Sequence, residues 1–377
     1  MSNSHLYNGI RQWHKHLPQI LAAVMLLALL AWIAVAIWWD TQRAWAMLLT
    51  DFLFLSSLSA GLVVWPAIVL VSRGRWMGAT QRTALAGVVM LPVCVLILLV
   101  LIVGGRFWAP WFGRSLPNSW WLNARFLFTR DVISLVVFTG LAWWFASAMR
   151  QGRQPKRLAA WLIFTYTIAF SILGIDLAMG LDPRWYSLVF GIYFFISGLL
   201  IAVVGWLLIS ATVDGTATPD QLSDQAKLVI TFSMLTAYLM YCQLLPIWYE
   251  NMPQETRYLV PRMNEVTYWP NISIVLLALV YLGPLVLLLT RSAKRSAAYT
   301  GTVAGLILAA LWLERWWLVM PSLGEPLRFG LAEITGVAAL VAGLLLFMLW
   351  LHQRVVPQAP QSAGEVSQQV QAGGTEL

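Results

Sequence analysis

The sequence predicts an all-α integral membrane protein with ten transmembrane helices. Of its 377 residues, 60% are hydrophobic and only 11% are charged, whereas an average soluble protein has about 25% charged residues. The mean hydropathy is +0.73. Ten apolar segments reach about 20 residues, which is the length that crosses a bilayer as a helix. The net charge of +8 is therefore assigned to basic loops at a membrane surface and not to nucleic-acid binding.

The ten apolar segments follow one another along a single transmembrane domain, residues 1–354. Segments 2–5 (about 45–181) and 6–9 (about 184–320) are expected to form two four-helix bundles, with segments 1 and 10 peripheral. Residues 355–377, which are polar and lack aromatic residues, are expected to form a disordered tail. The predicted segments are 18–39, 45–72, 81–104, 122–149, 157–181, 184–212, 223–247, 267–290, 297–320 and 329–352.

The distribution of basic residues predicts the orientation in the membrane. Ten crossings place both termini on one side, and that side carries fourteen of the 24 Lys and Arg residues, against eight on the other side. Three short loops, 73–82, 150–157 and 291–295, dominate the difference. Because cytoplasmic loops are enriched in Lys and Arg, both termini and the 355–377 tail are expected in the cytoplasm. The longer loops 105–121 and 248–266 are then expected on the outer side, where they could dock a partner.

Local signals predict where two helices begin and end. Asp182-Pro183 is typical of a helix start, with Asp as the N-cap and Pro at the first helical position. Pro246 is expected to end or kink segment 7. Gly198 and Gly205 lie one above the other on segment 6 and favour close helix packing.

Charged residues inside the apolar segments are the first candidates for function, because a charge in hydrocarbon is costly. Arg130 and Arg315 are the two basic ones. At about 1.5 Å per residue, all the acids fall in the outer half of their segments, so a shared depth is predicted for them. Asp176 is the most informative, since it lies several residues inside a helix end. The acids are Asp51, Asp131, Asp176, Glu314 and Glu333.

Structural explanations compete with a functional one for these charges. Arg130 and Asp176 could form an ion pair that only joins helices, since buried charges need partners. Arg315 could pair locally with Glu314 or extend toward the outer surface. Asp51 and Glu333 lie near helix starts and could only complement the helix dipoles.

The alternative is a site that handles protons or a polar head group, and a quinol fits that chemistry. Its tail stays in lipid, its ring packs on aromatic residues, and its hydroxyls need proton acceptors. Tyr238 is a candidate for the ring contact, although buried aromatic residues more often only pack. Tyr166, Thr167 and Lys227 could carry protons across the inner half, or form ordinary interhelical hydrogen bonds.

The sequence offers no ligand set for a metal or a redox cofactor. Its two cysteines, Cys94 and Cys242, are far apart and cannot by themselves hold an iron–sulfur cluster. No apolar segment contains a histidine pair for a haem. The four histidines are His5, His14, His16 and His352. We therefore expect no bound haem, iron–sulfur cluster or metal, and at most a reversibly bound quinone.

Three stretches carry a resemblance to a known family. Residues 176–193, DLAMGLDPRWYSLVFGIY, resemble the helix 5–6 signature of NrfD/PsrC-type membrane subunits of alternative complex III. Residues 243–256, QLLPIWYENMPQET, are similar to the stretch after helix 7, and residues 122–130, with Asn123 and Arg130, are similar to the entrance of helix 4. The likeness covers about residues 40–350 and is greatest to the second, ActF-type, NrfD-like subunit.

The resemblance implies an integral subunit of a quinol:electron acceptor oxidoreductase in the bacterial cytoplasmic membrane. Its expected partners are lipid, an iron–sulfur protein, c-type cytochromes, a second NrfD-like subunit and a terminal oxidase. A quinol-binding or proton-handling role is expected for Asp176, Arg130, Asp131, Tyr238, Asp51 and Glu314. No redox cofactor is expected in this chain itself.

Departures from the family pattern favour proton handling over quinol oxidation. Gln254 stands where an acid is usual, Gly180 replaces a usual Ser, and helices 2 and 3 lack histidine. The alternative function is a non-catalytic anchor that docks the redox subunits or a terminal oxidase. The residues expected to dock such a partner are Trp248, Tyr249, Glu250 and Glu255. A stand-alone transporter is a further alternative.

Overall fold

The computed structural model describes residues 3–114, 119–213, 215, 217–250, 256–264 and 268–354, and of residues 3–15 only the backbone. Within these ranges every regular element is helical. Ten helices are long and apolar enough to cross a membrane. The predicted all-α, ten-helix integral membrane fold is therefore confirmed. The predicted tail 355–377 lies outside the described residues.

Each of the ten predicted segments coincides with one long helix of the structure. The first helix extends back to Asn3, and short helices lie at Gly105–Trp108, Val260–Met263 and Arg291–Arg295. The spans are α1 (His16–Trp38), α2 (Thr41–Val71), α3 (Thr80–Val103), α4 (Ala124–Arg150), α5 (Lys156–Leu181), α6 (Phe190–Thr212), α7 (Pro219–Glu250), α8 (Trp269–Leu287), α9 (Ala297–Leu323) and α10 (Leu331–Arg354).

Ten consecutive crossings define two sides of the protein. The connections after α1, α3, α5, α7 and α9 lie on one side, which we call the long-loop side. The remaining connections lie on the other, which we call the termini side.

Two helices form the centre of the molecule. In the most apolar 18-residue stretch of each helix, 83% of the residues of α2 and 78% of those of α6 are buried inside the protein. For α1 the share is only 17%. α2 packs against α3, α5 and α6, and α6 packs against α5, α7 and α9. α1 packs mainly on α10. These contacts agree with helices 2–5 and 6–9 as two groups joined through α2 and α6, with α1 and α10 at the periphery.

Small residues let the two central helices approach closely, as the sequence indicates for α6. A Cβ added to Gly198 would lie 2.8 Å from the Tyr166 hydroxyl. A Cβ added to Gly61 on α2 would lie 2.4 Å from Ala202 Cβ and 3.2 Å from the Gly198 carbonyl oxygen. Ala202 Cβ and the Gly198 carbonyl oxygen are both fixed by the backbone of α6, so neither can move aside by a side-chain rotation. A larger side chain at Gly61 must therefore separate α2 from α6.

Gly61→Leu is expected to lower the free energy of unfolding by about 1–3 kcal/mol or more, because overpacking a rigid contact forces the backbone to move. Gly140→Leu is the matched control, since nothing lies within 4 Å of a Cβ at Gly140. That change removes a helix-interior glycine and should be neutral or slightly stabilising. Thermal unfolding of both variants in detergent tests the packing, and equal melting temperatures would contradict it.

The predicted start of α6 at Asp182-Pro183 is wrong. Residues 182–189 form turns, and the helix begins at Phe190. The single N–H of Arg257 Nε is shared between the two Asp182 oxygens, at 3.0 and 3.1 Å. Trp185 stacks on Tyr258 with the ring centroids 3.8 Å apart. Asp182 thus keeps one local hydrogen bond, from the Arg184 backbone N–H at 3.4 Å, but it does not start a helix and its carboxylate also binds the segment after α7.

Of the two outcomes predicted at Pro246, an end or a kink of the helix, the end is wrong. α7 passes through Pro246 and continues to Glu250. A proline is tolerated inside a membrane helix where neighbouring groups satisfy the freed carbonyl.

Candidate functional site

An arginine and an aspartate from neighbouring helices form a buried ion pair near the long-loop side. Arg130 on α4 donates from Nε to Asp176 Oδ2 at 2.6 Å and from Nη2 to Asp176 Oδ1 at 2.5 Å. Asp176 on α5 is fully buried, and the Arg130 side chain is only 12% exposed. Two parallel hydrogen bonds between a guanidinium and a carboxylate are the strong form of this interaction. The pair therefore fixes α4 against α5.

Aromatic residues complete the surroundings of this ion pair. Trp121, in the connection before α4, donates from Nε1 to Asp176 Oδ1 at 2.9 Å. Arg130 Cζ lies 3.8 Å from the Trp121 ring centroid and 4.7 Å from that of Phe126. Asn123 caps α4 by accepting from the Arg125 backbone N–H at 3.1 Å. The cap and the indole thus hold the entrance of α4 over the ion pair.

A second carboxyl group, that of Asp131, lies beside the same pair. Asp131 is fully buried, and neither of its oxygens has an N–H or hydroxyl donor among the described residues. Its interacting neighbours are Asp176 and Arg130. One guanidinium therefore faces two carboxyl groups, and the group is electrically neutral only when the two carboxyls share one proton. We call Trp121, Arg130, Asp131 and Asp176 the Asp131 cluster.

Asp51 belongs to a different group, between α2, α9 and α10. Trp312 Nε1 donates to Asp51 Oδ1 at 2.9 Å, and Gly336 on α10 lies close to Oδ2. Trp312 also lines an apolar cavity of about 360 Å³, together with Phe54 and Val337. Asp51 thus orients the indole at the wall of this cavity and does not contact the Asp131 cluster through any described hydrogen bond.

Glu314 lies in a third group, inside the second bundle. Tyr193 donates a hydrogen bond to Glu314 Oε1, and Tyr281 donates to the same oxygen at 3.3 Å. Arg315 donates from Nη2 to Ser197 Oγ at 2.8 Å, and its Nη1 is 3.7 Å from Glu314 Oε2. Both charged side chains are fully buried, so Arg315 does not extend toward the surface. Glu314 Oε2 and two Arg315 nitrogens lack a hydrogen-bond partner among the described residues.

Glu333, the fifth acid, has a structural partner. Arg43 at the start of α2 donates to Glu333 Oε1 at 2.7 Å and to Glu325 Oε2 at 2.9 Å. Glu333 Oε2 also accepts from the Gly330 backbone N–H at 2.9 Å. This buried network clamps the first turns of α2 and α10. The five acids have four different sets of partners, and their shared depth stays a prediction.

A buried arginine fixes the segment after α7. Arg262 donates to the carbonyl oxygens of Tyr258 at 2.7 Å and Leu318 at 3.0 Å. Its Cζ lies 3.7 Å from the Tyr258 ring centroid. Burial lowers the pKa of Arg262 and raises the pKa of Tyr258 from their ordinary values, because each charged form loses hydration. The two side chains anchor the 256–264 segment against α9.

Other residues named from the sequence lie away from the Asp131 cluster. Tyr238 is 62% exposed on α7, and its neighbour is Cys242 on the same helix. At the end of α7, Trp248 and Tyr249 are 77% and 81% exposed and Glu250 is exposed. Glu255 lies outside the described residues.

The three residues suggested as a proton path are not joined to one another. The Tyr166 hydroxyl donates to the Phe195 carbonyl at 2.9 Å. Thr167 donates to a carbonyl of its own helix at 3.1 Å. Lys227 is 60% exposed and pairs with Asp224 at 2.7 Å. Tyr166 alone reaches the boundary between the bundles, beside Gly198.

Several partners of the buried acids were missed in the sequence. Trp121, Trp312, Tyr193 and Tyr281 each place a donor on a carboxylate oxygen. The available signal is that a buried Tyr or Trp usually finds a partner for its polar atom. That signal does not say which acid receives the hydrogen bond.

Among the described residues, no group of three or more His, Cys, Asp or Glu side chains is arranged to hold a metal ion. No protein-family model matches the chain, and no curated protein matches it.

Proposed function

We propose that this chain is an integral membrane subunit of a quinol:electron acceptor oxidoreductase of the alternative complex III type. In this role it binds or borders a quinol and handles its protons at the Asp131 cluster. The proposal rests on the resemblance of residues 122–130, 176–193 and 243–256 to NrfD/PsrC-type subunits, and on the chemistry of the cluster. The chain supplies no redox group in this proposal, so electrons pass to iron–sulfur and c-type cytochrome subunits on separate chains.

The single observation that carries the proposal is the uncompensated carboxyl of Asp131. A buried pair needs only one carboxylate to balance Arg130, and Asp176 already fills that role with two hydrogen bonds. Asp131 interacts with Asp176 and Arg130 but receives no N–H or hydroxyl hydrogen bond from the other described residues, so its ionised form is costly. A carboxyl group that takes up and releases a proton changes its charge. Asp131 can do so without breaking the ion pair between Arg130 and Asp176.

The surroundings suit a quinol. Each quinol hydroxyl that is oxidised releases one proton, and a carboxylate within hydrogen-bond reach is the base that accepts it. The exposed faces of Trp120 (74%) and Phe126 (49%) stand beside Trp121 and offer stacking surfaces for a ring at the membrane edge. Arg130 stays paired with Asp176 in this account, so Asp131 is the carboxyl group that exchanges the proton.

The Glu314 group adds a second place for a proton in the other bundle. Tyr193, Tyr281 and Ser197 connect Glu314 and Arg315 to α6 and α8. The unpartnered atoms of Glu314 and Arg315 are positions where internal water would bind. In the proposal these groups handle protons after they leave the quinol.

Purification of the tagged chain from its native membranes tests membership of a redox complex. The expected result is co-purification of c-type haem, seen by its absorption bands, and quinol-dependent reduction of cytochrome c by the preparation. Purification of the chain alone, with transport of a solute as its only activity, would contradict the proposal and favour the transporter alternative.

An anchoring role is the second candidate, and the exposed end of α7 favours it. Trp248 and Tyr249 present two large aromatic side chains to the surroundings, as partner-binding surfaces often do. In this case Trp248→Ala with Tyr249→Ala should release the peripheral subunits while Asp131→Asn leaves turnover unchanged. Trp39→Ala is the matched control, because Trp39 is equally exposed (78%) at the end of α1 on the same side.

A further inference from the structure

A polar cavity of about 410 Å³ lies on the long-loop side, apart from the Asp131 cluster. The connection between α3 and α4, the turns after α5 and the segment after α7 contribute its walls. Its charged lining residues are Arg106, Arg114, Arg184, Arg257 and Asp182. The described lining thus contains four arginines and one aspartate.

Among the described residues, most of this positive charge has no ion-pair partner. Asp182 is engaged by Arg257, at 3.0 and 3.1 Å. Among the described residues, Arg106, Arg114 and Arg184 form no ion pair. Arginine presents a planar fork of donors that matches phosphate oxygens. The cavity is therefore suited to an anion with several oxygens, such as a phosphate group.

Two apolar clefts adjoin the cavity, one on each side. Phe107 lines both the cavity and a cleft of about 480 Å³ between α1 and α2, whose walls include Trp32, Ile33 and Trp45. Phe112 lines both the cavity and a second cleft of about 490 Å³ beside α4, whose walls include Ile102, Phe128, Thr129 and Ile133. Both clefts open along lipid-facing helices, since Ile33 and Ile133 are 44% and 56% exposed.

We propose that this cavity binds the phosphate head group of an anionic phospholipid, with its acyl chains in the two adjoining clefts. The arginines supply the charge and the donors for the phosphate, and the clefts supply apolar surface for the chains. A free phosphate ion would use the arginines but leave both clefts exposed. A zwitterionic lipid would bring its own cation into a site that already has an excess of positive charge. The bound lipid would brace the α3–α4 connection against α1 and α4.

Lipid binding to the purified, delipidated protein tests the proposal. Phosphatidylglycerol in detergent should raise the melting temperature and persist as a bound adduct in native mass spectrometry, whereas phosphatidylcholine should do neither. Arg106→Gln with Arg184→Gln should weaken phosphatidylglycerol binding roughly 30-fold, from the attraction expected per arginine. Arg157→Gln is the control, since Arg157 is exposed on the termini side.

A second pair of variants tests the acyl-chain clefts without changing charge. Thr129→Trp fills the cleft beside α4 from its exposed side and should weaken phosphatidylglycerol binding. Val137→Trp, on the exposed side of the same helix (49% exposed) but away from the cleft, should not. Equal binding of phosphatidylcholine, or unchanged binding in the double arginine variant, would overturn the proposal. So would inorganic phosphate that reproduces the full stabilisation, because the site would then take a free anion.

Discussion

Asp131→Asn is expected to lower the quinol-dependent turnover of the assembled complex by about 10²–10⁴-fold, the usual contribution of a positioned acid–base group. Asn keeps the size of the side chain but cannot take up a proton. The stability should not fall, because Asp131 forms no ion pair of its own in the described structure and its replacement leaves Arg130 paired with Asp176. Turnover with quinol and cytochrome c, together with thermal unfolding, measures both effects.

Asp224→Asn is the matched control for this change. It also removes one carboxylate, but Asp224 lies at the surface in an exposed pair with Lys227, and such pairs contribute little. Its turnover and melting temperature should equal those of the unmodified protein. Normal turnover of Asp131→Asn in a fully assembled complex would remove the proton-handling role of the cluster.

Arg130→Gln is expected to have the largest effect on stability, about 3–5 kcal/mol, because it leaves Asp176 buried without its cation. Asp176→Asn alone should also destabilise, since Arg130 then loses its two charge-assisted hydrogen bonds to Asp176. Thermal unfolding of the single variants in detergent measures these losses. Asp176→Asn is thus a poorer test of function than Asp131→Asn, because a lower turnover could come from a smaller folded fraction of the protein.

The double variant Arg130→Gln with Asp176→Asn distinguishes the stability that comes from the ion pair from a general destabilisation by the substitutions. Removing both charges leaves two neutral amides that can hydrogen-bond to each other, so much of the lost stability should return. The double-mutant cycle then gives a large coupling energy between the two residues. Additive losses, with the double variant as unstable as the sum of the two single ones, would contradict a direct pair.

The helices and one ion pair could be predicted from the sequence, for simple physical reasons. Uninterrupted apolar length is required to cross a bilayer, so the ten spans stand out in the sequence. Arg130 and Asp176 were candidate partners because a charge in hydrocarbon needs compensation and because consecutive helices tend to be neighbours. In the structure the two residues form an ion pair, which is one of the structural explanations predicted from the sequence.

The division of the acids into separate groups could not be predicted. Counting 1.5 Å per residue gives a depth but not the direction in which a side chain points around its helix axis. Asp51, Glu314 and Glu333 are predicted to share a region of depth with Asp176, but in the structure they face Trp312, Tyr193 and Arg43. The sequence drew attention to Asp176, whereas in the structure Asp131 is the acid whose two oxygens both lack an N–H or hydroxyl donor among the described residues.

The start of α6 shows the same limit at short range. Asp182-Pro183 has the local chemistry of a helix start. However, the Asp182 carboxylate accepts a hydrogen bond from Arg257, which lies 75 positions further along the chain. A distant partner of this kind leaves no mark on the local sequence pattern. The segment thus forms the wall of a cavity and not the first turn of a helix.

Photo-affinity labelling with an azido-quinone tests the central claim most directly. The assembled complex is illuminated with the probe, digested, and mapped by mass spectrometry with and without excess quinol. We predict labelling within residues 119–131 or 173–181, and its loss on competition. Labelling confined to other parts of the chain, such as the apolar cavity beside Trp312, or labelling that quinol does not displace, would contradict a quinol site at the Asp131 cluster.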